Sequence, residues 1–313
     1  MVLALATHWV WDFWLTSHEG RQHLFYLQAP RSLGREELRH WHATIGHAVS
    51  SDLKDWEVLP EALGPGAPGS WDDLAVWTGS IIRHASRWWM LYTGVRRADA
   101  GLVQRIGLAV SEDLLRWERH PANPVLEADP LWYEHGVPPH WHDQAWRDPF
   151  LLRHPVTGTF HAFITARGAT GPVRGRGVIA HAQSTDLQRW EVLPPVTERC
   201  DRYGQLEVPQ VVCVDDRWLL LFSRSSAYDE PTAAAPTTGT HFYTSDDPLG
   251  PYTCATEGVL VADQDGTSYS GKLVRHTGRW WFLACSYRRG KRFIGTLADP
   301  APLAFTDGRP ALA

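Results

Sequence analysis

SSDLKDW, at residues 50–56, is a phrase that the chain repeats. The same Ser-x-Asp-Leu-x-x-Trp pattern returns as SEDLLRW at 111–117 and STDLQRW at 184–190, and a degraded copy, SDDPLGPY, occupies 245–252. The four serines are 61, 73 and 61 residues apart, and a fainter fifth version is GTLADP at 295–300. Short Ser and Asp side chains accept hydrogen bonds from backbone N–H groups a few residues on, which closes a turn locally. The phrase therefore reads as a structural turn whose Trp or Tyr packs between neighbouring repeats, with no chemistry of its own.

The residues before each turn tell what is being repeated. HLFYLQA (23–29), WWMLYTG (88–94), FHAFITA (160–166), WLLLFSR (218–224) and WWFLACS (280–286) are short aromatic and aliphatic runs rich in strand formers. Another strand candidate lies ahead of each, at 9–15, 76–83, 146–153, 206–214 and 269–276. A further one leads into each turn, at 44–50, 105–111, 177–184, 240–245 and 292–298. No long stretch has helical periodicity. Five units of about 60 residues, each with three or four strands, predict an all-β chain folded as a five-bladed β-propeller, a single domain over residues 1–313.

Composition narrows the function. The chain is 43% hydrophobic and 21% charged, with a formal charge of −5 that favours neither nucleic acid nor an anionic membrane as partner. No apolar run reaches the length of a membrane span. Cys200, Cys213, Cys254 and Cys285 form no C-x-x-C pair, so neither a zinc site nor a redox motif is expected, and all four read as free thiols. The amino terminus lacks a basic segment followed by a long apolar stretch, which leads to the expectation of a cytoplasmic protein. The 17 Trp are about four times ordinary usage. Most belong in a core, but Trp also offers a face on which sugar rings stack. Two irregular stretches, 60–75 and 127–146, are expected to shape a pocket, and 227–239 reads as a mobile surface loop. His135, His140 and His142 lack a metal-ligand spacing, so neither a metal nor a cofactor is expected.

The inner strands of a propeller line its central channel. Three of them open on a carboxylate set among apolar neighbours: Asp12 in WDFW (11–14), Asp148 in RDP (147–149) and Glu207 in LEVP (206–209). A charge in such surroundings is costly unless it is paired or at work. On the repeat alignment, the three occupy equivalent blade positions and point into one funnel. Two carboxylates flanking a bond are the minimum for glycoside hydrolysis, and a third, kept ionised by Arg147, can fix a hydroxyl pair or tune a neighbour.

Here the chain resembles glycoside hydrolase family 32, the β-fructofuranosidase, inulinase and levanase family. The resemblance is carried by HLFYLQAP (23–30), IGHAVSSDLKDWEVLPEAL (45–63), WTGS (77–80), NPVL (123–126), WRDPF (146–150) and LEVP (206–209), in the family's order. It implies Asp12 as nucleophile and Glu207 as general acid/base. Asp148 would stabilise the transition state by gripping two sugar hydroxyls, with Arg147 holding it charged. It also implies a small carbohydrate substrate and retention of configuration. Trp11, Trp14 and Trp77 are candidate pocket walls. Ser80 and His47 are further candidates, His47 reading equally well as a buried, satisfied histidine. The departures concern the substrate. Trp9-Val10-Trp11-Asp12-Phe13-Trp14 stands where the family has Trp-x-Asn-Asp-Pro-Asn-Gly, Leu27 stands for Gln, and Val208 follows the acid/base in place of Cys. Five blades consume the chain, leaving no room for the family's C-terminal β-sandwich. Fructosyl transfer, an inverting arabinofuranosidase-like reaction using the same carboxylates, and a non-catalytic sugar-binding propeller stay open as alternatives. Oligomeric state is not legible.

Overall fold

Antiparallel sheets built from consecutive strands succeed one another along the chain in a computed structural model, which describes residues 3–231 and 237–313. The first sheet contains β1 (His8–His18), β2 (Arg21–Pro30), β3 (Thr44–Ser50) and β4 (Glu57–Leu63), paired in that order. The second contains β5 (Ala75–His84), β6 (Arg87–Val95), β7 (Gln104–Ser111) and β8 (Glu118–Arg119). The third is formed by β9 (Trp146–Arg153), β10 (Phe160–Arg167), β11 (Gly177–Ser184) and β12 (Glu191–Leu193). The fourth is β13 (Glu207–Val214), β14 (Arg217–Arg224), β15 (Thr238–Ser245) and β16 (Gly258–Asp263). The fifth starts with β17 (Ser268–His276) and the long β18 (Arg279–Arg289). The next position in it is shared by β19 (Arg292–Leu297) and β20 (Ala301–Thr306), and β21 (Arg309–Leu312) lies outermost. The result is the five-bladed β-propeller expected from the repeat.

The repeated turn works as its side chains suggest. Asp186 Oδ1 accepts the backbone N–H groups of Gln188 and Arg189, both at 2.9 Å, and Ser184 Oγ accepts those of Asp186 and Leu187 at 3.1 and 2.8 Å. Asp52 and Asp113 do the same in blades one and two. The reason for the recurring Leu is visible only in the backbone. Leu53, Leu114 and Leu187 adopt φ of 66°, 66° and 65°, a left-handed conformation costing a non-glycine residue roughly 1–2 kcal/mol. Each of these leucines is fully buried, which offsets that cost. The closing Trp caps the turn, Nε1 of Trp117 and Trp190 donating to the carbonyls of Leu114 and Leu187. Trp117 also meets Phe25 of the first blade edge-on at 5.8 Å, so this aromatic does pack between blades.

A second repeat lies within the blades. On the third strand of blades one, three and four stands a histidine, His47, His181 or His241, stacked on Phe25, Phe163 or Phe222 of the second strand. His47 also shares a 3.0 Å hydrogen bond with His23, and His181 one of 2.8 Å with His161. Ring closure joins the two ends of the chain by side chains. Arg31 donates to the carbonyls of Ile294 and Gly295, and Glu36 accepts the N–H of Phe293. The cysteines depart from expectation: Cys200 and Cys254 form a disulfide, leaving Cys213 and Cys285 free. The surface loop expected at 227–239 is also revised. Tyr228 packs against Trp141 of the 127–146 stretch, Asp229 pairs with Arg224 of β14, Thr238 and Gly239 belong to β15, and residues 232–236 of that expectation lie outside the described residues.

Removing one acceptor tests how the turn is held. Asp186→Ala should lower unfolding stability by about 1–2 kcal/mol in urea denaturation, while exposed Arg189→Ala should stay within roughly 0.5 kcal/mol of the parent.

Candidate active site

The channel is built by a defect that recurs in every inner strand. Strand β1 skips a pairing partner between Trp11 and Phe13, β5 between Trp77 and Gly79, and β9 between Arg147 and Phe150. Strands β13 and β17 do so between Glu207 and Gln210 and between Tyr269 and Lys272. A bulge leaves its extra residue unpaired and re-aims its side chain. The bulge residues are thus Asp12, Thr78, Asp148, Val208 and Ser270. Asp148, Val208 and Ser270 take φ of 56°, 52° and 55°, strain that persists only where surrounding contacts fix it. Those contacts come from the preceding blade. The N–H groups of Asp148, Val208 and Ser270 donate to the hydroxyls of Thr93, Thr165 and Ser223, at 3.0, 3.2 and 2.9 Å.

This register corrects the repeat alignment. Asp12 and Asp148 are equivalent, but Glu207 stands one residue earlier, level with Trp11, Trp77, Arg147 and Tyr269. The three carboxylates therefore occupy two tiers, Asp12 and Asp148 deeper and Glu207 nearer the mouth. All three line one cavity of about 230 Å³.

Each carboxylate has its own partners. Asp12 accepts hydrogen bonds from the hydroxyls of Ser270 and, at 3.3 Å, Thr78, its register equivalents in the two adjacent blades. Asp148 accepts from the Thr165 hydroxyl at 2.9 Å and the Val208 N–H at 3.2 Å. Glu207 accepts from Arg147 Nη2 at 2.7 Å and from the Tyr269 hydroxyl. Arg147 pairs with Asp148 and also with three further acceptors. Its guanidinium hydrogen-bonds Glu207, Asp143 at 3.2 Å and Gln104 at 3.0 Å, and lies 3.7 Å from Asp148. The planar fork explains this, since one guanidinium directs its donors to several acceptors at once.

Burial dominates the electrostatics. It raises the Asp12 carboxyl above its ordinary range, against the Ser270 hydrogen bond and with Glu207 adding to the rise. It pushes Asp148 up to about 6, the pull of Arg147 notwithstanding. Burial opposes the charge on Arg147, but Asp143, Glu207 and Asp148 outweigh it and hold the guanidinium above its usual value. On the far side of the bulges, burial lowers Lys272 to about 8, and its ammonium donates to the carbonyls of Val208 and Pro209.

The structure sorts the other candidates. Trp11 and Trp77 line the cavity with the carboxylates. Trp14 and Ser80 do not: both lie further along their strands and line a separate cavity of about 340 Å³ toward the opposite mouth. Trp14 stacks on Phe25, and the Ser80 hydroxyl accepts the N–H of Leu151. His47 lies in the blade interior as one of the stacked histidines. Of the two irregular stretches, 127–146 supplies His142 and Asp143 to the cavity, whereas 60–75 sends Asp72 into a buried network with Tyr92 and Arg119. Sequence reasoning missed His40, Trp41, Thr78, Gln205, Tyr228 and Tyr269. The first two sit on a 3₁₀ turn, Glu36–His42, whose aromatic HWH was the available signal. Among the described residues no group of three metal-ligating side chains converges, and His142 stacks on Tyr228.

A raised folded-state value means that the ionised carboxylate is disfavoured by the fold. The stability tied to Asp148 is full below the unfolded value and is lost as pH rises through about 6. Asp148→Asn should therefore melt at a higher temperature than the parent at pH 7.5, the gain shrinking toward pH 4, when the two are compared by calorimetry.

Comparison with known proteins gives this geometry a family. The sequence model for the glycosyl hydrolases family 32 N-terminal domain matches residues 13–252, beginning one residue after Asp12. A bifunctional 6(G)-fructosyltransferase/2,1-fructan:2,1-fructan 1-fructosyltransferase of Allium cepa is 29% identical over 68% of the chain, and beta-fructofuranosidase 1 of Zea mays is 32% identical over 63%. The chain spans only 32% and 27% of the lengths of these two relatives. Among solved structures, the inulosucrase from Halalkalicoccus jeotgali bound to kestose shares the fold, with a TM-score of 0.83 at 21% identity over 98% of this chain and 87% of that one. With the family model matching most of its length, the chain belongs to glycosyl hydrolases family 32.

Proposed function

We propose that the chain is a retaining glycosidase acting on β-fructofuranosides. Asp12 is the nucleophile, Glu207 the general acid/base and Asp148 the stabiliser of the transition state. The observation that carries this reading is the two-tier arrangement. Two carboxylates, Asp148 buried and Asp12 partly so, stand on equivalent bulges, with a third one step nearer the mouth in the grip of Arg147 and Tyr269. In the first step a carboxylate oxygen of Asp12 attacks the anomeric carbon while the glycosidic C–O bond breaks, and Glu207 gives its proton to the departing oxygen. In the second step Glu207 takes a proton from water, the resulting hydroxide oxygen bonds to the anomeric carbon, and the ester bond to Asp12 breaks. Asp148 accepts hydrogen bonds from ring hydroxyls that tighten as positive charge develops, and Trp11 and Trp77 wall the ring. Hydrolysis and transfer differ only in whether water or a sugar hydroxyl enters in the second step.

Against the expected cytoplasmic location, we place the chain in an oxidising compartment, because a disulfide such as Cys200–Cys254 persists where thiols are not kept reduced.

The test is product release from sucrose, short fructans, levan and aryl arabinofuranosides, with the anomer formed first followed by NMR. Fructose should appear first as the β anomer, and Asp12→Asn should lower turnover by at least about 10³-fold. Activity confined to arabinosides, or an inverted first product, would overturn the assignment. Because Asp12 must be ionised to attack and burial holds its proton on, the acid limb of kcat/KM should lie above the ordinary carboxylate range.

A further inference from the structure

The cavity contains polar atoms that the chain itself leaves unused. Gln205 is 1% exposed and lines the cavity two residues ahead of Glu207. Neither its amide nitrogen nor its amide oxygen has a hydrogen-bond partner among the described residues. A buried primary amide with both ends idle is costly, so such a group calls for an occupant. Asp143 is in the same condition on one side. Its Oδ2 takes Gln104 at 2.7 Å and Arg147 at 3.2 Å, while Oδ1 has no hydrogen bond among the described residues, with His142 Nε2 3.5 Å away. The stacked pair His142 and Tyr228 lines the cavity beside them, the rings 5.1 Å apart at 26°.

We propose that Gln205 and Asp143 form the subsite for the departing sugar, an inference that rests on Glu207 being the acid. The leaving oxygen must lie against Glu207, and the rest of the leaving group then lies toward residues entering the cavity with it. One amide offers a donor and an acceptor side by side, which matches two neighbouring hydroxyls, and the free carboxylate oxygen accepts from a third. The occupant is thus a polyhydroxylated sugar ring, with His142 and Tyr228 as its apolar wall. The same subsite receives the incoming sugar in transfer, so its hydrogen bonds set how well a sugar competes with water for the fructosyl-enzyme.

The experiment compares two substrates with the same fructosyl group: sucrose, whose leaving group is a sugar, and β-fructofuranosyl fluoride, whose leaving group has no hydroxyls. The readout is the ratio of kcat/KM on sucrose to kcat/KM on the fluoride. Gln205→Leu should lower that ratio by about 10–100-fold. Gln205→Glu, which keeps the shape and removes the donor, should lower it too and replaces the Leu variant if that one does not fold. A ratio within about 2-fold of the parent in the folded variant would show that Gln205 only packs, and would overturn the inference while leaving the proposed reaction intact. A parent enzyme inactive on both substrates would overturn the reaction and this subsite with it.

Discussion

Each inner strand carries one residue more than its neighbour can pair, and the unpaired N–H or side chain reaches across to an adjacent blade. In blades three, four and five the N–H of the bulge residue goes to a Thr or Ser hydroxyl of the blade before it. In blade one the Asp12 carboxylate takes the hydroxyls of Thr78 and Ser270 on either side. A backbone donor buried at the centre of a propeller must be satisfied, and the partner available is the preceding blade. One class of hydrogen bond therefore holds the blades in register around the axis and fixes where the carboxylates sit.

The resulting site is electrostatically tense. Asp12, Asp148 and Glu207 share a cavity of about 230 Å³, and burial alone would keep protons on the two deeper groups. Arg147 is the local counterweight. By dividing its donors among Glu207, Asp143 and Gln104, it makes the outer wall of the site one network, so that removing it would leave several buried acceptors unpaired at once. Strain and buried charge at functional positions reduce stability and are retained for function.

The tryptophans divide by depth. Trp117 and Trp190 cap turns and fill seams, Trp14 stacks on Phe25, and Trp11, Trp41 and Trp77 face the cavity. Trp11, the residue before Asp12, has an indole N–H that is buried without a partner among the described residues. The aromatic surface and the idle amide of Gln205 belong to one cavity, suited to a ligand with both apolar faces and hydroxyls.

The repeat is written in the chain itself, and the blades with it. Period-two strands and a turn spelled three times in nearly the same letters are local signals. They were enough to place five blades and to pick out Asp12, Asp148 and Glu207 as charges in apolar company. Register was not local. Which residue of an inner strand becomes the bulge depends on its pairing with the second strand and on a hydroxyl from another blade. Only the tertiary structure could therefore separate Glu207 from the tier of the other two, or turn Arg147 toward it. The same reason sent Trp14 and Ser80 to the opposite mouth: along a strand, two or three residues are enough to leave one cavity for another. Gln205, Tyr228 and Tyr269 carry no motif, and they enter the site because distant segments converge there. The Cys200–Cys254 bond likewise joins residues 54 apart that no spacing rule connects.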